Sequence, residues 1–242
     1  EADPVKGSLG IAHTRWATHG AVKQTNTHPH MSGNDLALVH NGIIENYMAL
    51  REELQSKGYV FASETDSETI VHLIHSCFGD DGLLQAVRRA VKRLEGAYAI
   101  AVCWADEPDR IIAARSGCPL VVGKGIGENF LASDVLALKA VTDRFIFLEE
   151  GDLVELRRDS IDIWSIDNEA VLRADVRIEM AKDDLDKGNF RHYMQKEIFA
   201  QPQVLQETME GRIGKEAVLE ESFGVGAKAI FDRTEAITIV AC

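Results

Sequence analysis

A succession of short apolar runs separated by turn residues fills residues 97–166, and it constrains the fold more than any other feature of the sequence. The runs cover residues 97–104, 110–114, 120–123, 144–148, 153–156 and 161–166. Four of the five connections have only four or five residues, which is too short for the crossover that a parallel pair of strands requires. The sequence therefore predicts antiparallel β-structure in this region.

Helical periodicity precedes these strands. Apolar residues recur at helical spacing in three groups: Ile43, Tyr47, Leu50 and Leu54; Ile70, Ile74, Cys77 and Phe78; Leu84, Val87, Val91 and Leu94. Thr65 and Glu68 have capping-box spacing ahead of the second group, which predicts a helix start. Helices followed by an antiparallel sheet indicate an α+β fold of stacked layers.

Three shorter elements are predicted near the N-terminus. Residues 8–17 are interpreted as a strand running into a loop, and residues 36–39 and 59–62 as short strands. The pair Asn41 and Gly42 is typical of a hairpin turn, but a helical pattern follows it. We therefore expect this pair at a strand-to-helix corner.

The stretch at residues 10–20 is denser in polar side chains than a strand end requires. An arginine, a tryptophan, two threonines and two histidines lie within residues 13–19. Arg15 offers a rigid fork of donors that suits a carboxylate, and Trp16 offers a flat wall beside it. The stretch indicates a pocket for a small anion, although its composition alone fits a solvated strand end equally well.

The charge balance excludes several classes of partner. Acidic residues outnumber basic residues 39 to 26, which gives a net charge of −13. Such a chain is a poor ligand for nucleic acid or an anionic membrane. Since no apolar run approaches the roughly 18 residues of a membrane span and no signal-peptide pattern is present, we expect a soluble, cytoplasmic protein. The spacing of Cys77, Cys103, Cys118 and Cys242 suits structural thiols in a reducing compartment.

The composition of the sequence changes near residue 181. A polar run at residues 182–190 has the composition of a linker, and helical segments are expected at residues 193–200 and 204–209. Residues 236–242 are apolar and rich in β-branched side chains. They have the pattern of the first core strand of a further domain.

Motifs along nearly the whole chain resemble one enzyme family. The motifs at residues 12–20, 28–30, 40–46, 63–66, 115–117, 128–134, 147–152 and 191–198 resemble, in the same order, the glutaminase half of the glucosamine-6-phosphate synthases. These are the isomerising glutamine:fructose-6-phosphate amidotransferases, which act in hexosamine biosynthesis. The resemblance implies an α+β fold of the N-terminal-nucleophile hydrolase type, an αββα four-layer sandwich that is incomplete here.

The resemblance also implies a division into domains. Residues 1–181 correspond to a class II glutamine amidotransferase domain that is truncated at its N-terminus. Residues 182–190 are the linker, and residues 191–242 are the truncated beginning of an α/β sugar-phosphate isomerase domain. The implied reaction is hydrolysis of L-glutamine and delivery of ammonia to fructose 6-phosphate, in a homodimeric full-length protein, with no cofactor and no metal.

Site residues follow from the matched motifs. Arg15 corresponds to the residue that holds the α-carboxylate of glutamine, and Asp66 to the residue that holds its α-ammonium. Asn41, through its side-chain amide, and Gly42, through its backbone N–H, correspond to the oxyanion hole. Three other matched positions either line the glutamine pocket or gate the ammonia path: Thr18, His19 and Trp16. A zwitterionic substrate does require one fixed cation and one fixed anion.

One departure from the family concerns the nucleophile. The family uses a cysteine at the N-terminus whose own α-amine is the general base. This chain begins with Glu1, and none of its four cysteines lies at the N-terminus or beside a matched site motif. We therefore expect the 242-residue chain as written to lack glutaminase activity.

Other interpretations remain open. The histidines of residues 13–40 could form a metal site, but pocket and turn histidines are favoured because no Cys or carboxylate pattern completes a set of ligands. The Gly123-x-Gly125-x-Gly127 pattern hints at a phosphate-binding loop, but no helix pattern follows it, so a turn between strands is favoured. The alternative functions are a non-catalytic glutamine-binding or regulatory module and an amidotransferase of purine or asparagine synthesis.

Overall fold

The computed structural model describes residues 7–15, 21–178, 187–214, 217–224 and 226–238, and the chain divides into two compact units, residues 1–179 and 180–242. The helices are α1 (Tyr47–Ser56), α2 (Asp66–Ser76), α3 (Gly82–Val91), α4 (Tyr193–Met209) and α5 (Ala227–Asp232). The strands are β1 (His30–Ser32), β2 (Leu36–Ile44), β3 (Gly96–Trp104), β4 (Glu107–Ser116), β5 (Val121–Lys124), β6 (Asn129–Ala132), β7 (Arg144–Phe147), β8 (Leu153–Arg157), β9 (Ile161–Trp164) and β10 (Asp175–Arg177).

The first unit contains two antiparallel sheets. One has six strands in the order β1-β2-β3-β4-β8-β9, and the other has four in the order β10-β7-β5-β6. Neighbouring strands in both sheets run antiparallel. The antiparallel prediction for residues 97–166 is therefore confirmed.

Strand periodicity separates two apolar cores. Alternate residues of β3, such as Ile100 and Val102, pack with α1, α2 and α3. The residues between them, Ala99 and Ala101, face the four-stranded sheet. Their small side chains allow the two sheets to approach closely. The result is a helix layer, a six-stranded layer and a four-stranded layer.

The outer face of the four-stranded sheet carries a small third core. Val121, Leu138 and Phe145 are buried there, next to the short 3-10 helix Val135–Ala137. In the part of the chain that the structure describes, this single turn occupies the position of the fourth layer. The predicted α+β arrangement of stacked layers is thus present, with its last layer reduced.

The expected corner at Asn41 and Gly42 is wrong. Both residues lie inside β2, which pairs with β3 continuously from Leu36 opposite Trp104 to Ile44 opposite Gly96. Ile43, which the pattern assigned to a helix, is a strand residue and is 44% exposed. The long-range partner strand overrides the local turn preference of Asn-Gly, and α1 begins only at Tyr47.

Other boundaries also differ from expectation. Residues 8–15 and 59–62 are not strands, and the strands β1, β6 and β10 were not predicted. Each of these three strands has only three or four residues and depends on a neighbour for its pairing. Elements that short carry almost no periodicity of their own.

In the second unit, the two predicted helical segments form one helix. α4 continues through Pro202, a residue that commonly ends or kinks a helix. Residues 236–238 are not a strand, and the rest of the apolar run predicted there lies outside the described residues. Most of the predicted linker also lies outside them. The domain boundaries stay predictions.

Replacing Gly96 by alanine should destabilise the first unit strongly. Gly96 has a φ of +119°, and a Cβ there would overlap the carbonyl oxygen of Ile43 on β2. We expect the free energy of unfolding in urea to fall by about 3 kcal/mol or more, from backbone strain together with the overlap.

Gly58→Ala is the matched control. Gly58 also has a positive φ, +92°, but no atom lies within 4 Å of the position its Cβ would take. Backbone strain alone should therefore lower the free energy of unfolding by about 1–2 kcal/mol. Equal losses at the two positions would contradict the assigned overlap with β2.

Candidate functional site

Among the residues that the structure describes, β1 is the only strand that pairs with the edge of β2 facing away from β3. β1 pairs with residues 36–38 and no further. The Glu45 amide donates to the Glu95 carbonyl at 2.8 Å, so the odd-numbered residues of β2 bond to β3. The alternation of an antiparallel pair then turns the amides of even-numbered residues, including Gly42, toward the open edge.

Asp66 binds the next amide along that edge. Its Oδ2 accepts a hydrogen bond from the Ile44 N–H at 2.9 Å, and the residue is 3% exposed. Asp66 is the first residue of α2, directly after Thr65, whose Oγ1 accepts from the Glu68 amide at 3.2 Å. The predicted helix start is confirmed, and the helix N-terminus favours a negative charge at this position.

A second carboxylate orders the chain before α2. Glu68 accepts hydrogen bonds from the amides of Ala62, at 2.8 Å, and Ser63, at 2.7 Å, whereas a capping box would direct it to the amide of the cap residue itself. Burial raises the pKa of Glu68, but the His72 ring and the Ser63 hydroxyl and amide more than offset burial, and the pKa is about 2. The ionised carboxylate therefore holds the loop before α2, which is not the predicted strand.

The side chain of Asn41 lies on the face of β2 that is directed toward the four-stranded sheet. It follows Val39 by two residues, and Val39 packs against the core between the sheets. Ile11 packs against the same core. His13, two residues after Ile11, reaches Asn41, and its Nε2 lies 2.6 Å from Asn41 Oδ1.

Arg15 follows His13 in a left-handed backbone conformation. Its φ is +36°, which is uncommon for a residue with a side chain, and its amide donates to His13 Nδ1 at 2.8 Å. Burial is the main cause that lowers the pKa of His28 and His30, and the Arg15 charge lowers the pKa of both further. The Arg15 guanidinium therefore acts on His30 and on His28, whose ring packs against His13.

These histidines form one cluster, which we define as His13, His28, His30 and His40. Ring centroids are 4.2 Å apart for His13 and His28, and 4.9 Å apart for His28 and His30. His30 Nε2 lies 3.1 Å from the Thr65 hydroxyl. His40 Nδ1 lies 2.9 Å from the hydroxyl of Ser67. The cluster thus connects the start of α2 with the Asn41 side of β2.

Two members of the cluster resist protonation. Burial, followed by the neighbouring His13 and His30, lowers the pKa of His28 to about 3. Burial also lowers the pKa of His40 to about 4, although the Asp66 carboxylate opposes that shift. Both rings are therefore neutral at pH 7, and they add polar surface without adding positive charge.

The structure relates four predicted site residues to one another. Asn41 and Gly42 are consecutive in β2, Asp66 binds β2 two residues later, and Arg15 is linked to Asn41 through His13. The other three predicted residues, Trp16, Thr18 and His19, lie outside the described residues. The roles of all seven stay predictions.

Sequence reasoning did not identify the partners of the site residues. His13 and Asn41 are 28 residues apart, and His40 and Ser67 are 27 residues apart. No local spacing rule connects positions at such separations. The only available signal was the density of histidines in residues 13–40, which was interpreted as pocket and turn histidines.

Two alternative interpretations concern the histidines and the glycine-rich stretch. Within the described ranges, no group of three or more His, Cys, Asp or Glu side chains is arranged to hold a metal ion. In the glycine-rich stretch, the Gly125 amide donates to the Glu128 carbonyl at 3.0 Å, between β5 and β6. The predicted turn between strands is confirmed there.

Comparison with known proteins identifies relatives. The profile of the glutamine amidotransferase domain family matches residues 13–140. Over 241 residues, the chain is 56% identical to the glutamine--fructose-6-phosphate aminotransferase [isomerizing] of Pseudomonas putida, and over 240 residues it is 55% identical to the Haemophilus influenzae protein of the same name. Each match covers 99% of this chain, which spans only 39% of the length of either relative.

Two solved structures are similar to this chain. One is the glutamine phosphoribosylpyrophosphate amidotransferase of B. subtilis in complex with ADP and GMP, at 25% identity and a TM-score of 0.54. The other is an allosteric regulatory enzyme of purine biosynthesis, at 27% identity and the same TM-score. Each match covers 64% of this chain and 34% of the other. These likenesses confirm the N-terminal-nucleophile hydrolase type of fold, whereas the start of an isomerase domain stays a prediction.

Mild acid should destabilise the first unit. In the unfolded chain, His28 and His40 take up protons near their ordinary pKa of 6.5, whereas the folded state holds the pKa of these residues at about 3 and about 4. The unfolded state then binds more protons, so the free energy of unfolding should fall as the pH drops from about 6.5 toward about 4. Urea unfolding across this range measures the slope.

One variant and one control test whether the His40 ring causes the acid sensitivity. His40→Asn keeps a polar atom near Ser67 but removes the titrating group, so the slope between about pH 6.5 and about pH 4.5 should become shallower. His192→Gln, at an exposed position of the second unit, should leave the slope unchanged. An unaltered slope in His40→Asn would show that this ring does not cause the acid sensitivity.

Proposed function

The chain belongs to the glutamine amidotransferase domain family, and on that premise we propose that its first unit binds L-glutamine and takes part in hydrolysing the side-chain amide. The observation that carries this proposal is the linkage of Arg15, Asn41, Gly42 and Asp66 around one histidine cluster. In this proposal Trp16, Thr18 and His19 complete the pocket.

Charge complementarity supports the binding roles. Free glutamine carries a carboxylate and an ammonium on its α-carbon, and a selective site must match both charges. Arg15 provides a guanidinium, and Asp66 provides a carboxylate at the start of a helix. Because His28 and His40 are neutral at pH 7, they do not add cations that would compete with the substrate ammonium for Asp66.

Donor geometry supports the oxyanion role. Attack on the amide carbonyl places negative charge on its oxygen, and preorganised N–H donors stabilise that charge. The Gly42 amide is turned toward the open edge of β2, and Asn41 adds a side-chain amide. Both donors lie on a strand of a six-stranded sheet, which is a rigid support.

The proposed nucleophile is the N-terminal cysteine that the family resemblance implies. Burial raises the pKa of the Cys103 thiol to about 11, and burial also raises the pKa of the Cys118 thiol. The thiolate is the reactive form, so neither residue suits a nucleophile at neutral pH. We expect hydrolysis to require a cysteine of the family's kind.

For the whole protein, we propose the reaction named for its relatives. The identities of 55% and 56% support an isomerising glutamine:fructose-6-phosphate aminotransferase, which would use ammonia from glutamine to form glucosamine 6-phosphate. Fructose 6-phosphate would bind outside the first unit, and the full-length protein would be a homodimer. Neither role requires a cofactor in the first unit.

We also propose that the protein works in the cytoplasm. No helix in the described part of the chain is long and apolar enough to cross a membrane. Cys77, Cys103 and Cys118 are free thiols, as a reducing compartment would leave them. Fractionation of cells that express the full-length protein would test this location.

Loss of either charged group should weaken glutamine binding. Arg15→Ala removes the cation, and Asp66→Asn keeps an oxygen that can accept from Ile44 while removing the anion. We expect each change to raise the Kd for L-glutamine by about 10–100-fold, as loss of a charge-assisted hydrogen bond does. Calorimetry on the 242-residue chain, and on a longer chain in which the family's cysteine segment precedes Glu1, measures the affinity.

Arg144→Ala is the control for that experiment. Arg144 is an exposed arginine on β7 that pairs with Asp175, so its loss should leave the Kd unchanged. If Arg144→Ala weakens binding as much as Arg15→Ala does, the proposed α-carboxylate site is wrong.

Glutamate release tests the catalytic part of the proposal. We expect the longer chain to hydrolyse glutamine and the 242-residue chain to be inactive, because only the former has the proposed nucleophile. Turnover by the 242-residue chain alone would refute the nucleophile assignment. If both chains bind glutamine and neither hydrolyses it, a non-catalytic glutamine-binding module is the correct interpretation.

A further inference from the structure

A continuous chain of hydrogen bonds joins the backbone at Arg15 to the side chain of Asn41. The Arg15 amide donates to His13 Nδ1 at 2.8 Å, and His13 Nε2 lies 2.6 Å from Asn41 Oδ1. His13 is thus the connection between the segment that carries the proposed carboxylate-binding arginine and the proposed oxyanion-hole strand.

The hydrogen bond from the Arg15 amide determines which atom of Asn41 faces His13 Nε2. A backbone amide can only donate, so His13 Nδ1 must be an acceptor and carries no proton. In a neutral imidazole the proton then resides on Nε2, which becomes a donor. The atom of Asn41 that faces Nε2 must therefore be the carbonyl oxygen, and the NH₂ group of Asn41 is directed away from His13.

We propose that His13 is a positioning residue that orients the Asn41 amide so that its NH₂ group faces the oxyanion. This inference rests on the proposed glutamine hydrolysis. A side-chain amide has two orientations related by a flip, and only one presents donors to the reacting oxygen. In the other orientation the Asn41 oxygen would repel the developing negative charge.

The surroundings of His13 hold its ring in place. The His28 ring lies 4.2 Å away, centroid to centroid, and the two planes are inclined at 42°. His28 is neutral at neutral pH because burial lowers its pKa to about 3, so it does not place a positive charge against the His13 ring. Ring packing on one side and two hydrogen bonds in the ring plane leave His13 little freedom to turn.

The effect of His13 should fall on turnover rather than on substrate binding. The oxyanion hole stabilises charge that forms only in the transition state, whereas the α-carboxylate and α-ammonium contacts act on the ground state. Removing His13 should therefore lower kcat by about 10²–10³-fold, the usual loss for one oxyanion donor, with KM changed by less than about threefold.

Kinetics of glutamate release in the chain that hydrolyses glutamine test this inference. His13→Phe keeps a ring beside His28 but removes both nitrogens, and it should show the full loss in kcat. His13→Gln restores an amide donor near the Nε2 position and should recover at least about tenfold of that loss. His75→Phe, the same change at a partly buried histidine bonded to Tyr59, should leave kcat and KM unchanged.

A double-mutant cycle shows whether His13 acts through Asn41. If it does, His13→Phe combined with Asn41→Ala should be no slower than Asn41→Ala alone. Multiplicative losses in the cycle, or a loss confined to KM, would overturn the positioning role. The proposed function would still stand in that case, because the wild-type chain would remain active.

The tautomer can also be measured without activity. Nitrogen chemical shifts of the His13 ring in the 242-residue chain should identify Nδ1 as unprotonated and Nε2 as protonated at neutral pH. A protonated Nδ1 would overturn the inference whatever the outcome of the glutamine assays. If instead the tautomer is as expected and no chain hydrolyses glutamine, the proposed function is wrong while the hydrogen-bonded chain is correct.

Discussion

The uninterrupted pairing of β2 with β3 is the constraint on which the site depends. It runs from Leu36 to Ile44 and carries the Asn41–Gly42 pair along a strand, where a chain without this partner would turn. Glycines on both sides of the pairing, Gly42 and Gly96, have positive φ values, and a Cβ at either position would overlap a carbonyl oxygen of the partner strand. The close backbone approach thus requires glycine, and it places the Gly42 amide on a rigid sheet.

Two carboxylates and two neutral histidines lie near this strand. The start of α2 contributes Asp66, which is held by the Ile44 amide, and Glu68, which holds the loop before the helix. Burial keeps His28 and His40 neutral at pH 7, because a charged imidazole would lose its hydration there. In the proposed site, Arg15 and Asp66 would therefore face a zwitterion without added imidazolium charge from these two rings.

Much of the architecture was predictable because periodic patterns are local. The helix capped by Thr65 and, apart from β6, the strands between residues 97 and 164 follow from a cap and from apolar runs in the sequence. The corner at Asn41 was wrong because the decisive partner, β3, is remote in the chain. Strands as short as β1 were missed because three residues cannot establish a period.

The sequence by itself determined the layered α+β class and the chemical groups of the proposed site: a guanidinium, a carboxylate, a side-chain amide and a glycine. Only the tertiary structure decided how these groups can act. It set the direction of the Gly42 amide, the acceptor role of His13 Nδ1 toward the Arg15 amide and the neutral state of His40. Each of these depends on distances and burial between segments far apart in the chain, and such quantities arise only when the sheet and α2 pack together.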